Sequence, residues 1–307
     1  MNRRKFIKET LKYGISAGIA LAGIDKIFAA GQSLIKDVEI PRLIAIKGAT
    51  PEKMFEKGIM AMGGMTRFIK KGQTVLVKPN IGWDVTPELA ANTNPKLVGV
   101  IIKHCIDAGA KKVYVFDHTC DNWQKAYKNS GIEYAVKQAG GIMVPGNAVS
   151  NYQKVNITGG KVLKSASVHE LLISSDVFIN VPVLKSHGSA QLTIAMKNLM
   201  GVVWDRRFWH ITDLHQCIAD FTAFRKPDLT IVDAYNVMTE HGPRGTDGSD
   251  LVKMQSQIIS TDIVAADAAA TKIFGVQPES IRHIKIAAEK GLGKINLDEI
   301  NIKKIYL

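Results

Sequence analysis

Apolar residues fall in short unbroken runs separated by stretches in which they recur every three or four positions, and this alternation continues from Leu43 to Gly275. Leu43–Ile46 predicts a strand. Pro51, tolerated in a first helical turn because its missing N–H is not needed there, opens a helix running towards Met62. Thr74–Val77 predicts a second strand that stops at Lys78-Pro79-Asn80. Asn94-Pro95 start a helix through Leu97, Val98, Val100, Ile101 and Ile102, and Gly109 ends it. Val113–Phe116 is a third strand, ending at Asp117-His118. Strands without polar alternation suit a parallel sheet covered on both faces, and the helices between them supply the crossovers.

Residues 131–139 read as helix, closed by Gly140-Gly141. From 151 to 165 the texture changes to two short strands around Thr158-Gly159-Gly160, a hairpin inserted into the α/β order. The parallel pattern resumes with a strand at 177–183 and a helix ending near Ala223. Strands at 229–233 and 257–262 follow, then a small-residue helix at 263–275. No internal repeat or low-complexity linker divides the chain. The expectation is one α/β domain over residues 31–307, with a mostly parallel, Rossmann-like sheet, helices on both faces and a small inserted β-hairpin.

The N-terminus changes the picture of where this domain works. Arg3-Arg4 are followed by Lys5, Phe6, Ile7 and Lys8, then by a weakly apolar run from Tyr13 to Ile24. That run is well short of the roughly 20 residues a spanning helix needs. The layout is that of a twin-arginine export signal over residues 1–30, with cleavage near Ala29-Ala30-Gly31. It predicts the twin-arginine translocase as a transient partner and a periplasmic or other extracytoplasmic destination. The full chain has 307 residues and a formal charge of +12; residues 1–30 hold six of its 40 Lys/Arg and two of its 28 Asp/Glu, which leaves +8 on the remainder. Such a surplus favours anionic partners, whether a carboxylated or phosphorylated small molecule, an anionic lipid surface or nucleic acid, and is most simply a solvated basic surface. The lysines are scattered and no nucleic-acid signature occurs, so nucleic acid is not expected as a partner. The three cysteines, Cys105, Cys120 and Cys217, form no C-x-x-C pair, so no iron–sulfur cluster is expected within the chain. Cys105 and Cys120 are either a disulfide or free thiols.

Ligands of open α/β sheets sit beyond the carboxyl ends of the strands. Here those ends carry Lys78 and Asn80, Asp117 and His118, the segment Asn180–Gly188, and Asp233 with Glu240-His241 beyond it. Lys185 and His187 alternate with Ser186, so an extended backbone projects both to one side. Lys197 and Asn198 follow in a helical stretch ended by Gly201. Ammonium groups neutralise an anion, carboxamides fix its orientation, and a lysine or imidazole moves protons. The candidate catalytic residues are therefore Lys185 and His187. The candidate ligand-binding residues are Lys78, Asn80, Asp117, Lys197, Asn198 and Asp233.

The stretches VKPN (77–80), NTNP (92–95), DAGAKKVYVFDHT (107–119), NVPVLKSHGSAQLTIAMKNLMG (180–201), DLTIVDAYNVMTEHGP (228–243), STDIVAADAAATKIFG (260–275) and AAEKGLGK (287–294) resemble, in order, the domain of unknown function family 362. The resemblance implies an α/β fold; it carries no agreed activity. Members fused to ferredoxin-type domains hold clusters, which this cysteine-poor chain does not match. At the third strand end only Asp117 follows the family's frequent pattern. The combination of Rossmann-like sheet, acidic strand end and Lys/His loop is also loosely similar to the nickel-pincer lactate racemase family.

A divalent or transition metal is a further possibility, since His118, His187, His210, His215 and His241 fall near the rim with Asp117, Asp205, Asp213 and Asp233. No H-E-x-x-H, zinc-finger or EF-hand spacing defines a ligand set, and no Walker loop, G-x-G-x-x-G or G-x-S-x-G elbow occurs. Two readings follow. One is an enzyme working on a small anion by Lys/His acid–base chemistry; the other is an exported binding protein holding a ligand or metal without turnover.

Overall fold

The computed structural model describes residues 40–307, so the expected export signal lies outside the described residues. The first half runs β1 (Leu43–Lys47), α1 (Pro51–Ala61), β2 (Thr74–Pro79), α2 (Pro95–Asp107), β3 (Lys112–Val115), α3 (Trp123–Asn129), α4 (Ile132–Gln138) and β4 (Ile142–Met143). The hairpin β5 (Tyr152–Asn156) and β6 (Ser165–His169) leads to α5 (Glu170–Ser174), β7 (Val177–Val181), β8 (Val183–His187), β9 (Gln191–Thr193) and α6 (Ala195–Asn198). Then come α7 (Arg207–Ile211), α8 (Leu214–Phe224), β10 (Leu229–Met238), β11 (Leu251–Ser260), α9 (Ile263–Phe274), α10 (Arg282–Glu289) and β12 (Ile302–Tyr306).

The main sheet has the order β12-β1-β11-β10-β7-β2-β3-β4, with β8 paired to β10 and β9 to β8. β10, β7, β2, β3 and β4 are parallel neighbours. Strand β11 departs from the expected pattern by lying antiparallel to both β1 and β10. The physical reason is its connection: residues 239–250 hold no α-helix that could carry the chain back across the sheet, so β11 returns beside β10 as a hairpin. From β2 the chain builds outwards through β3 to β4, then crosses to the other side of β2 to form β7. The strand order therefore reverses at β2.

Alternate residues of the inner strands face two separate cores. Val75 and Val77 of β2 and Ile179 of β7 pack with Phe55 of α1 and Leu97 and Ile101 of α2. Leu76 and Phe178 face the other way, towards Ile218 and Phe221 of α8 and Val264 of α9. Each fully buried side chain of this kind contributes about 1.5–3 kcal/mol of transfer free energy. Helix starts follow the sequence signals: Thr50 and Asn94 accept backbone N–H bonds ahead of Pro51 and Pro95, and Asp262 caps α9.

Two local differences bear on the rim. The apolar run 177–183 is split at Pro182, whose ring leaves no N–H for a ladder; β7 stays beside β2 while β8 moves to β10. The second strand of the hairpin begins at Ser165 rather than within 161–164. The N–H groups of Val162 and Leu163 are instead taken by the Asp220 carboxylate at 2.8 and 3.1 Å.

Candidate functional site

At the point where the strand order reverses, a cleft of about 60 Å³ opens beyond the carboxyl ends of β2 and β3. Lys78, Asn80, Asp117, His118, Lys185, His187, Lys197 and Asn198 all line it, although they span 120 positions of sequence. Asp233 does not. It is buried at the side of the sheet, where its carboxylate accepts the Asn94 N–H at 2.8 Å and the Tyr235 N–H at 3.1 Å, tying the start of α2 to β10. Burial pushes its pKa up to about 6 against those two donors.

The floor of the cleft is a closed polar network. Lys78 and Asn180 are register neighbours across β2 and β7, on the face opposite Val77 and Ile179. Lys78 is fully buried, and its ammonium group meets Asp117 Oδ1, Asn198 Oδ1 and the Pro79 carbonyl, each at 2.9 Å. Burial lowers its pKa, and the Asp117 charge works against that shift. Asp117 Oδ2 accepts the Ile81 N–H at 2.7 Å. Asn198 Nδ2 donates to Asn180 Oδ1 at 2.8 Å, and Asn80 Nδ2 donates to Asn198 Oδ1 at 3.0 Å. Breaking one partner of a buried pair such as Lys78–Asp117 typically costs 3–5 kcal/mol, because the other charge is left uncompensated. A side chain at Gly201 would put its Cβ onto Asp117 Oδ1, so only glycine lets this backbone lie against the ion pair.

Two further lysines face the cleft. Lys185 is 1% exposed; its Nζ donates to Asn80 Oδ1 at 3.1 Å and to the Ala91 carbonyl. Burial, reinforced by the charges of Lys197 and Lys78, brings its pKa down to about 7. Lys197 is partly buried and has no hydrogen-bond or ion-pair partner among the described residues. Its pKa falls to about 8, first through burial and then through the Arg206 charge. The α6 turn that carries Lys197 and Asn198 is held from below by Asp267, whose carboxylate oxygens accept the Ala195 and Met196 N–H groups at 2.6 and 3.1 Å.

The two imidazoles take opposite roles. His187 Nδ1 accepts the N–H groups of Ser189 and Ala190, both at 3.2 Å, so the neutral ring carries its proton on Nε2. Its pKa falls to about 3 through burial and the nearby Lys197 and Lys185 charges. His187 is thus a hydrogen-bond donor at neutral pH. It is not poised to take up a proton. His118 Nδ1 lies 2.9 Å from the Val203 carbonyl, which can only accept, so Nδ1 bears the proton and Nε2 keeps its lone pair. The ring stacks on Trp204, and burial lowers its pKa.

Arg206 and Cys120 also line the cleft, and the sequence reading did not select them. Arg206 donates to the Thr119 carbonyl at 3.1 Å. It sits in a Trp-Asp-Arg-Arg run just after Gly201, a charge cluster that could have drawn notice. All three cysteines are free; Cys105 and Cys217 are buried and Cys120 is exposed. In total, four cationic side chains and one carboxylate surround the cleft. For a metal, the donor atoms of Glu240, His241 and Asp250 come within 4.8 Å of one another on the loop between β10 and β11. Asp250 is already engaged there by His241 Nδ1 at 2.6 Å and by the Thr246 N–H at 3.0 Å. His215 and His283 meet with their Nδ1 atoms 3.1 Å apart and ring centroids 5.3 Å apart, the head-on geometry of one shared proton.

Residues 75–272 match the family described as Domain of unknown function (DUF362), and the chain belongs to that family. The matched span contains every residue that lines the cleft. The Thylakoid-associated protein sll1697 of Synechocystis sp. is 26% identical over 274 residues, covering 85% of this chain and 80% of that protein. The apoprotein of lactate racemase from Thermoanaerobacterium thermosaccharolyticum superposes with a TM-score of 0.45 at 12% identity, over 80% of this chain and 56% of the other. A protein from Thermotoga maritima gives 0.44 at 11% identity, over 79% and 60%. The chain thus spans little more than half the length of these solved structures.

Proposed function

We propose that this member of the DUF362 family is an exported protein that binds a small anion in the cleft at the strand-order reversal and acts on it with lysine-centred acid–base chemistry. The observation that carries the reading is Lys197: a partly buried ammonium group without a partner among the described residues, in a cleft with four cations and one carboxylate. Lys185, Lys197 and Arg206, the cations not paired with Asp117, repel one another around the cleft, and an anion removes that repulsion. A buried water needs about 10–15 Å³ of such volume, so the cleft accommodates roughly four to six waters or a ligand of a few heavy atoms. That size suits a small carboxylate or an oxyanion. Lys185, with a pKa of about 7, supplies a group able to give or take a proton at neutral pH, and His187 donates from Nε2. Export rests on Arg3-Arg4 and the apolar run behind them.

The test is calorimetric titration of the mature protein with sulfate and with acetate at low ionic strength. Wild type should bind at least one of them, and Lys197→Gln should weaken binding roughly tenfold or more, about 1.4 kcal/mol. Unchanged affinity in the variant would remove the cleft from consideration.

A further inference from the structure

We infer that Lys185 is a nucleophilic amine that forms a Schiff base with a small 2-oxo carboxylate, the acid group being held by Lys197 and Arg206. The inference rests on the anion reading of the cleft and adds a covalent step to it.

The argument begins with the directions left open at Nζ. A neutral primary amine has two N–H donors and one lone pair, arranged tetrahedrally about nitrogen. Lys185 has two acceptors in reach, Asn80 Oδ1 and the Ala91 carbonyl, and both are neutral oxygens. Two donors committed to these two acceptors leave the lone pair in the remaining direction, and the side chain borders the cleft. Lys78 is held differently, its ammonium group meeting three oxygens that include the Asp117 carboxylate. The two buried lysines therefore divide: one is pinned as a cation and the other is free to be an amine. Desolvation and a second cationic group nearby are the two known ways of keeping a lysine nucleophilic, and both are present here.

The groups around the cleft suit the partner. A 2-oxo acid has a carboxylate one bond from its ketone carbon. The Lys197 ammonium, without a partner among the described residues, and the Arg206 guanidinium border the cleft and can neutralise the carboxylate. The ketone oxygen gains negative charge as nitrogen adds, and His187 offers an Nε2–H donor on the same cleft. In the step itself the Nζ lone pair forms a C–N bond, the carbonyl π electrons move to oxygen, and a proton passes from the now cationic nitrogen to that oxygen to give a neutral carbinolamine. Loss of the hydroxyl with a second proton, as water, leaves a protonated imine. The net change is amine, ketone and one proton going to iminium and water, with no oxidant or reductant involved. The iminium keeps one N–H for Asn80 or Ala91.

The experiment is borohydride trapping of the mature protein with pyruvate at pH 7, followed by peptide mapping. The expected result is one reduced adduct on Lys185, formed on the order of a hundredfold faster than on exposed lysines, which are almost wholly protonated at that pH. Sulfate should suppress it, and Lys197→Gln should slow it. The wild-type map needs no variant to fold; Lys185→Met, of similar volume, should abolish the adduct in protein that remains folded, with a lowered melting temperature because Asn80 Oδ1 and the Ala91 carbonyl lose their donor. Pyruvate or sulfate binding without an adduct, or labelling spread evenly over surface lysines, would overturn the Schiff-base inference and leave the anion site standing. Failure of every small anion to bind would instead overturn the anion reading itself.

Discussion

Lys185 and Lys197 differ in what holds them, and that difference has a consequence for pH. Both pKa values lie below the usual lysine range, at about 7 and about 8. A bound anion stabilises the ammonium forms, so it raises both values. Below the free-protein values no proton need be taken up and affinity is flat. Above them each bound anion must bring protons with it, and affinity falls by up to about tenfold per pH unit for each proton. Sulfate affinity should therefore be highest near pH 6 and decline as pH rises through 7 and 8. Sulfate is a suitable probe because its own charge is constant over this range. A flat profile to pH 9 would contradict the assignment. Lys78, Asn80, Asp117 and Lys185 were legible from the sequence because they lie at or just beyond the ends of apolar runs, and Lys197 and Asn198 because they follow in the next helical stretch. The role of His187 was not: it depends on the Ser189 and Ala190 N–H groups capturing Nδ1, a feature of the turn after β8 that residue type does not reveal. Asp233 looked like a site residue for the same reason that Asp117 did, and only the direction of its backbone neighbours separates them.

At the scale of elements, the site depends on a four-residue helix that could not hold its position alone. α6 presents Lys197 and Asn198 because Asp267, from the middle of α9, accepts its first N–H groups. Asp267 does not border the cleft. Its replacement by Ala leaves two buried N–H groups without acceptors, which costs about 1–3 kcal/mol each. Asp267→Ala should lower the melting temperature and, in protein that remains folded, weaken sulfate binding as well. Calorimetry and thermal melts on the same samples check both effects; a variant that loses stability yet binds sulfate normally would detach α9 from the site. Strands and long helices were readable from hydrophobic period and from Pro and Gly punctuation. The split at Pro182 and the late start of β6 were not, because each answers to a distant partner, β10 in one case and Asp220 in the other.

For the whole molecule, the order of strands was the least accessible feature. The segment around Ile258-Ile259 reads as one more strand of the parallel series, yet it is antiparallel on both sides, and three strands lie between β1 and β2. Apolar runs report burial, and burial does not report direction. The location of the cleft was more accessible, since ligand sites follow strand ends wherever the order reverses. The proposed export is a separate matter from the fold. If Arg3 and Arg4 are read by the twin-arginine translocase, changing both to Lys should leave folded precursor in the cytoplasm, while the mature domain melts at an unchanged temperature. Cell fractionation distinguishes this from normal export, which would exclude that route.

The central claim is that the cation-rich cleft beyond β2 and β3 is an anion site, and crystals of the protein grown with selenate test it most directly. Selenate has the shape and charge of sulfate, and its selenium atom is located by anomalous scattering without reference to any assumed ligand. An anomalous peak within hydrogen-bond reach of Lys197 Nζ, bordered by Lys185, His187 and Arg206, is the predicted result. A cleft without selenium, in crystals whose side chains stand as described and whose selenate peaks lie elsewhere, would contradict it.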